Sequence, residues 1–216
     1  MYNPAAFVLI VESLDGENVY GGARVHVAGG SQLLPIEEAT GKMDDKIFEL
    51  VWHYAQKGTG EVCGLWNSRE IAGYGVGSIF LTRAAVAIST QIGLTSLFAL
   101  CAPYTVKMAE SVGYQLENSV GNNGTFYYPK LDLVATSMVL EDVHNLPLAA
   151  IEERESIFKI RNNLNITNVE LLRRREIEIE YRAQIENLDK WDLNEVISNL
   201  QKPSVHTIVS EKLSFL

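Results

Sequence analysis

The spacing of apolar and polar positions changes period several times along the chain, and each change marks an element. Ala5 to Val11 is an apolar run rich in branched residues, and Tyr20 to Val27 alternates. Together they predict an antiparallel hairpin turning around Leu14 to Asn18, with Asp15-Gly16 as punctuation. Gly29 to Gly41 reads as loop. Met43, Ile47, Leu50, Val51 and Tyr54 recur at helical spacing, which predicts a helix from Met43 to Gln56 with Asp44 and Asp45 in its first turn, where they suit the dipole. Glu61 starts a central strand that runs to Asn67. Val76 to Ile92 is apolar nearly all round, which predicts a buried helix closed by Gly93. Ser96 to Leu100 is a short apolar run suited to the middle of a sheet. A helix then opens at Tyr104 and closes at Gly113-Tyr114. Tyr114 to Ser119 and Thr125 to Lys130 flank Gly121-Asn122-Asn123-Gly124, a hairpin signal. Leu133 to Leu140 is the last strand, and this core ends near Glu141.

From His144 onward the texture is charged. Leu148 to Ile160 and Thr167 to Trp191 read as helices. Thr167-x-x-Glu170 has the form of a capping box. Glu170–Arg174 and Glu178–Arg182 are spaced for i,i+4 pairs, and Ile177, Tyr181, Ile185 and Leu188 make one apolar stripe. The alternation at Ile177 and Ile179 admits a strand, but the flanks favour helix. The expected organisation is therefore residues 1–141 as a core and 142–216 as a charged helical arm. The arm packs on the core, on a second copy to give a homodimer, or on another domain. The last 15 residues read as poorly ordered.

Composition narrows the classes. The chain has 216 residues, 47% of them hydrophobic, and a net charge of −9. That suits one core of moderate size with an appendage. It argues against a general nucleic-acid binder, since the only basic cluster, Arg173-Arg174-Arg175, is followed by acids. Cys63 and Cys101 make no disulfide framework, no Cys/His spacing matches a metal site, and both thiols read as small core residues. No apolar run is long enough to cross a bilayer, and no leader pattern opens the chain, so the expected location is cytoplasmic.

The chemistry concentrates between Gly60 and Tyr114. A strand feeds the turn Gly73-Tyr74-Gly75-Val76-Gly77, and the turn feeds the apolar helix. Glycines let backbone N–H groups approach an anion, and the helix start adds its own donors and dipole, which together suit a phosphate or pyrophosphate. A Walker-loop reading is weakened because no Lys precedes Ser78. The dinucleotide fingerprint is weakened too: the glycine spacing differs, and the next strand ends in Cys101-Ala102-Pro103 without a carboxylate.

Gly73-Tyr74-Gly75-Val76-Gly77, with Ser111-Val112-Gly113-Tyr114 closing the second helix, resembles the GNAT acyltransferase superfamily over roughly residues 5 to 140. The resemblance implies an α+β fold, with a mixed, mostly antiparallel sheet flanked by helices and here a helical C-terminal extension. It implies acyl-coenzyme A as co-substrate. Backbone groups of Ala72, Gly73, Tyr74, Gly75, Val76 and Gly77 would hold the pyrophosphate, and those of Leu65 and Trp66 would bond the pantetheine arm where the strands splay. No metal is called for. Ala72 stands where the family usually has Arg or Gln, and Ala109 where it often has a tyrosine acid. The family's first strand and two opening helices have no counterpart, so the chain is either a fragment or a trimmed fold.

Gly21-Gly22-Ala23-Arg24, the acids Glu37-Glu38 and Asp44-Asp45, and Glu61 also resemble the branch of acyl-homoserine-lactone synthases and N-acyl amino acid synthases. That branch's Ser-Arg-Phe after the Glu is absent. The resemblance admits an acyl carrier protein as donor and implies Asp45 as an acceptor-amine contact. Asp45 is otherwise a first-turn helix acid. Glu61 is either a general base or a solvated strand-end residue. Arg24 either orients an acceptor carboxylate through a bidentate pair or pairs with Glu61. Tyr104 either replaces the missing acid or covers the core. Two functions follow: an N-acyltransferase joining a thioester-borne acyl group to a small-molecule or amino-acid amine, or a non-catalytic module that binds a partner or senses a ligand through its C-terminal arm.

Overall fold

The computed structural model describes residues 5–30, 32–71, 78–128, 132–172, 175–198 and 200–203. β1 (Ala6–Glu12) and β2 (Val19–Val27) form the expected antiparallel hairpin, in register from Ala6↔His26 to Val11↔Gly21. Asp15 fixes the turn by accepting the Glu17 N–H at 3.0 Å, and Ser13 Oγ accepts the Asn18 N–H at 3.0 Å. Gly16 supplies the left-handed residue at φ 74°.

The remaining core elements are α1 (Pro35–Thr40), α2 (Lys46–Ala55), β3 (Thr59–Asn67), α3 (Ile79–Ser89), β4 (Ser96–Cys101), α4 (Val106–Ser111), β5 (Gln115–Leu116), β6 (Thr125–Tyr128) and β7 (Leu133–Leu140). The sheet order is β1-β2-β3-β4-β7-β5, with β6 also on β7. Every pairing in it is antiparallel except β3–β4. Helices cover both faces. Leu97 and Phe98 are neighbours in β4, both 0% exposed, and they enter different cores. Leu97 joins Val25, Val27, Val86 and Ile157 on the α3 side. Phe98 joins Ile36, Ile47, Val51 and Val139 on the α1–α2 side. A strand with both faces covered needs the continuous apolar run that Ser96 to Cys101 provides.

Several expectations are corrected. Gly29 to Gly41 is not all loop, because α1 lies inside it. Met43 is half exposed, ahead of α2 rather than on its buried stripe. α3 stops at Ser89, and Gly93, at φ 85°, lies in the turn that follows. Tyr104 precedes α4 and is 84% exposed, so it does not cover the core. β5 and β6 do not pair with each other along their length. Both run antiparallel to β7, with Gln115↔Val139 and Thr125↔Thr136, and the chain between them loops out. Gly121, Asn123 and Gly124 all have positive φ, which lets that excursion return to the same strand edge.

The C-terminal part is not all helical. α5 (Ile151–Asn162) is a helix as expected, but β8 (Asn165–Leu172) and β9 (Arg175–Arg182) form a two-stranded antiparallel hairpin where a long helix was predicted. Arg175-Glu-Ile-Glu-Ile-Glu-Tyr-Arg182 has strict two-residue alternation, and it is this period that folds. Glu176, Glu178 and Glu180 face solvent, whereas Ile179 and Tyr181 pack on the α3-side core. Glu170 caps nothing. Instead it accepts from Arg83 Nη1 at 2.9 Å, while Glu153 of α5 binds the same guanidinium in bidentate fashion at 2.6 and 2.9 Å. α6 (Leu193–Ser198) follows. Residues beyond Glu141 thus share the main core, with Ile157 and Ile160 at 0% exposure. Among the described residues, no helix is long and apolar enough to cross a membrane.

Candidate active site

The site is built where two neighbouring strands stop pairing. β3 and β4 are joined only over Thr59↔Ser96, Gly60↔Leu97 and Glu61↔Phe98. Beyond that point β4 pairs only with β7 and β3 only with β2. A bulge bends β3 there. Gly22 faces Trp66 and Arg24 faces Cys63, so Gly64 and Leu65 together oppose Ala23. Gly64 sits at φ 62°, the left-handed conformation of a glycine-type bulge. The strands therefore part, as expected for the splay beside Leu65 and Trp66.

Glu61 is the last paired residue before the opening. It is 2% exposed, so it is not a solvated strand-end residue. Its Oε2 accepts the Ile36 N–H at 2.7 Å. Burial pushes its carboxyl up to about 8, with the charges of Glu37 and Glu38 adding to the rise and the Ile36 bond and Arg24 opposing it. The donor comes from the first turn of α1. Pro35 at the first helical position has no N–H, and Glu37 reaches back to the Leu34 N–H at 2.8 Å. Glu37 is 7% exposed and is pushed up to about 7, again mainly by burial. His26 stands directly across from Glu61 in the β2–β3 register and is buried, which lowers its pKa.

Arg24 is exposed at the rim. It forms no ion pair with Glu61. Its Nε donates to Cys63 Sγ at 3.1 Å. The Cys63 thiol is pushed up to about 11 by burial and by Glu61, so it is a poor nucleophile at neutral pH. Cys101 ends β4 and is buried. Tyr114 is buried nearby, its hydroxyl without a hydrogen-bond partner among the described residues, and its pKa is raised by burial, with Cys101, Glu61 and Cys63 adding to the rise. Trp66 is half exposed and lies over Gly22.

Glu61 and Arg24 are thus close enough for their charges to interact, and Leu65 and Trp66 lie further along the same strand as Glu61, beyond its bulge. Two other expected residues stand apart. Asp45 is exposed at the start of α2, and its neighbour Asp44 is the residue with a tertiary bond, accepting the Gly121 N–H at 2.7 Å. Tyr104 follows the β4 wall but is exposed to solvent, unlike the buried Glu61. Ala72, Gly73, Tyr74, Gly75, Val76 and Gly77 lie outside the described residues. Sequence reasoning missed Glu37 and His26 as neighbours of Glu61. Pro35 followed by Glu37 was a usable signal for the first turn of a helix; nothing local marked His26. Among the described residues, no group of three His, Cys, Asp or Glu could hold a metal ion.

No protein-family model matches the sequence, and no curated protein matches it. Solved structures do. FeeM, an N-acyl amino acid synthase from uncultured soil microbes, superposes with a TM-score of 0.51 at 17% identity, over 70% of this chain and 75% of that one. The CoA-dependent acyl-homoserine lactone synthase MesI gives a TM-score of 0.44 at 15% identity, over 72% and 69%. A chimera of the spermidine N-acetyltransferase SpeG from Vibrio cholerae and hSSAT gives 0.42 at 16%, over 63% and 67%. The first of these likenesses is one of fold.

Proposed function

We propose that this chain, which has the fold of the GNAT acyltransferases, is an N-acyltransferase that moves an acyl group from an acyl-CoA or acyl carrier protein thioester to an amine. The observation that carries this reading is a buried carboxylate, Glu61, at the point where β3 and β4 separate. In direct attack, the amine nitrogen bonds to the thioester carbonyl carbon and the carbon–sulfur bond breaks. Glu61, when ionised, takes the proton the nitrogen loses, and the departing thiolate is protonated from solvent, since Tyr104 is exposed and apart from Glu61. A base whose carboxyl sits at about 8 works best on the alkaline side, so the rate should rise through that pH. Arg24, exposed at the rim, is assigned to an acceptor carboxylate; Asp45, apart from Glu61 at the start of α2, could meet only a distal amine of a long acceptor. The backbone of Ala72 to Gly77 is assigned to the pyrophosphate on its sequence.

Two measurements test this. Acetyl-, octanoyl- or palmitoyl-CoA should raise the melting temperature, and Gly75→Val should abolish that effect. Thiol release from acyl-CoA with a panel of amines should be slowed by Glu61→Gln. A second reading, a non-catalytic binding module, is favoured by Ala72, Ala109 and the exposure of Tyr104. It predicts no amine-dependent thiol release by the unmodified chain, and that outcome would displace the first reading.

A further inference from the structure

Glu61 does not hold its place alone. A carboxylate on a strand interior has no built-in donor, and the one that reaches Glu61 Oε2 is the Ile36 N–H, at 2.7 Å. The first turn of α1 leaves that donor available for a specific reason. The N–H groups of Glu37 and Glu38 both turn back to Leu34 O, at 2.9 and 3.1 Å. Pro35 has none. The Leu34 N–H goes to Glu37 Oε2 at 2.8 Å. Only Ile36 points its N–H outward, and it meets Glu61. Leu34 has no side-chain acceptor with which to cap the helix, so it is Glu37 that reaches back to the N-cap residue, while Thr40 Oγ1 donates to Ile36 O at 2.7 Å from the other end of α1.

We propose that Glu37 is a positioning residue for Glu61: by binding the Leu34 N–H it fixes the first turn of α1, from which the Ile36 N–H grips Glu61. The inference rests on the reading of Glu61 as base, but its first readout does not need catalysis. The same bond has an electrostatic consequence, because Glu37 brings a second carboxylate into the site. The groups that face or influence Glu61 are Glu37 and Glu38 on α1, Arg24 and His26 on β2, Cys63 on β3, Cys101 on β4, Tyr114 after α4 and Tyr128 on β6. Of these, Glu37 is the largest contributor that opposes ionisation of Glu61, after burial itself.

Two variants of the full chain separate the mechanical part from the electrostatic one. Glu37→Gln keeps an oxygen for the Leu34 N–H and removes the charge. Glu37→Ala removes both. The side-chain carboxyl carbon of Glu61 is titrated by NMR, with its signal assigned by its loss in Glu61→Gln, and amide exchange is followed at Ile36. In Glu37→Gln the Glu61 midpoint should fall by about half a pH unit or more, with Ile36 exchange as slow as in the parent. In Glu37→Ala the Ile36 amide should exchange at least about tenfold faster, and the Glu61 midpoint should lie above that of Glu37→Gln because the donor favouring its charged form is loosened. The pH profile of thiol release should move with the midpoint.

An unchanged Glu61 midpoint in Glu37→Gln overturns the electrostatic coupling. Unchanged Ile36 exchange in Glu37→Ala overturns the positioning role. If Glu37→Ala fails to fold, Glu37→Asp takes its place, since it keeps the charge but is too short for the reach-back, and the same rise in Ile36 exchange is required. If the midpoints shift as stated but no amine-dependent release is seen, the acyl-transfer reading fails and the positioning role stands. If release is seen while Ile36 exchange and the Glu61 midpoint are both unmoved, the positioning role fails and the acyl-transfer reading stands; if they move and the pH profile of release does not, Glu61 is not the base.

Discussion

Replacing Glu61 with Gln should make the protein much more stable at pH 8 while changing its stability at pH 5 by less than about 1 kcal/mol. The substitution keeps an oxygen for the Ile36 N–H and removes only the ability to ionise. In the folded chain the Glu61 carboxyl is raised from the ordinary 4.5 to about 8, chiefly by burial. The sign follows from linkage. A group whose folded pKa lies above its unfolded one gives stability that is fully present below pH 4.5 and is lost as pH rises through 8. In the unfolded chain the carboxylate ionises freely near pH 4.5, so each pH unit above that costs the folded state about 1.4 kcal/mol until the folded group ionises as well. Between pH 4.5 and 8 the loss comes to about 4 kcal/mol, a large share of the roughly 5–15 kcal/mol that holds a domain together. Glu37, raised to about 7, adds a loss in the same direction, and this one is common to parent and variant. Urea unfolding of both proteins at pH 5, 6, 7 and 8 measures the difference. The two stabilities should differ by less than about 1 kcal/mol at pH 5 and separate steadily above it, with the variant the more resistant. Parallel curves across the whole range would refute the burial of an ionisable Glu61, and with it the argument that this carboxyl is tuned as a base.

The other perturbations are simpler. Arg83→Met strands Glu153 and Glu170 without their shared partner, whose side chain is 10% exposed, and should cost about 3–5 kcal/mol. Amide exchange should then rise across β8 and β9 before it rises in the main sheet. Gly64→Ala adds a Cβ that meets nothing closer than 3.9 Å, so its cost is conformational. At φ 62° that should be about 1–2 kcal/mol by urea unfolding, and a null result would mean the bulge is not held in the left-handed conformation.

How far these features were legible depends on whether one local signal competed with another. β1, β2, β4, β7 and α2 follow single periods, and the structure places all of them close to where the pattern does. α1 was hidden because its six residues, Pro-Ile-Glu-Glu-Ala-Thr, are too few to show a helical stripe. β8 and β9 failed for the opposite reason. Glu170 and Arg174, like Glu178 and Arg182, satisfy the i,i+4 rule while Ile177, Ile179 and Tyr181 satisfy the two-residue one. What decides is tertiary: Arg83 draws Glu170 inward, and the alternate apolar side chains of β9 pack on the core of α3. The split between β5 and β6 was also beyond local reading, because a Gly-Asn-Asn-Gly turn between short strands does not reveal that both halves are claimed by β7. At the site, Glu61 could be placed on its strand, but its burial could not, since the lid over it is the unread α1.

That lid explains why the site and the fold should be considered together. On the α1–α2 side of the sheet, the core obeys the usual rule: Ile36, Ile47 and Phe98 are 0% exposed and Val139 is 1% exposed. A leucine or methionine in place of Glu61 or Glu37 would extend the same layer without an ionisation cost. Instead the layer holds two carboxyls, each supplied with one backbone N–H from one helical turn, and both are raised into the range where a proton can be exchanged near neutral pH. Where a sequence departs from its own packing rule and bears a stability cost, a functional site is the first expectation. Here the departure coincides with the one place in the sheet where two adjacent parallel strands stop pairing, so the carboxyl lies beside the opening left by their separation. A purely structural account must explain the two features separately; a base beside a cleft for the thioester requires them at the same point.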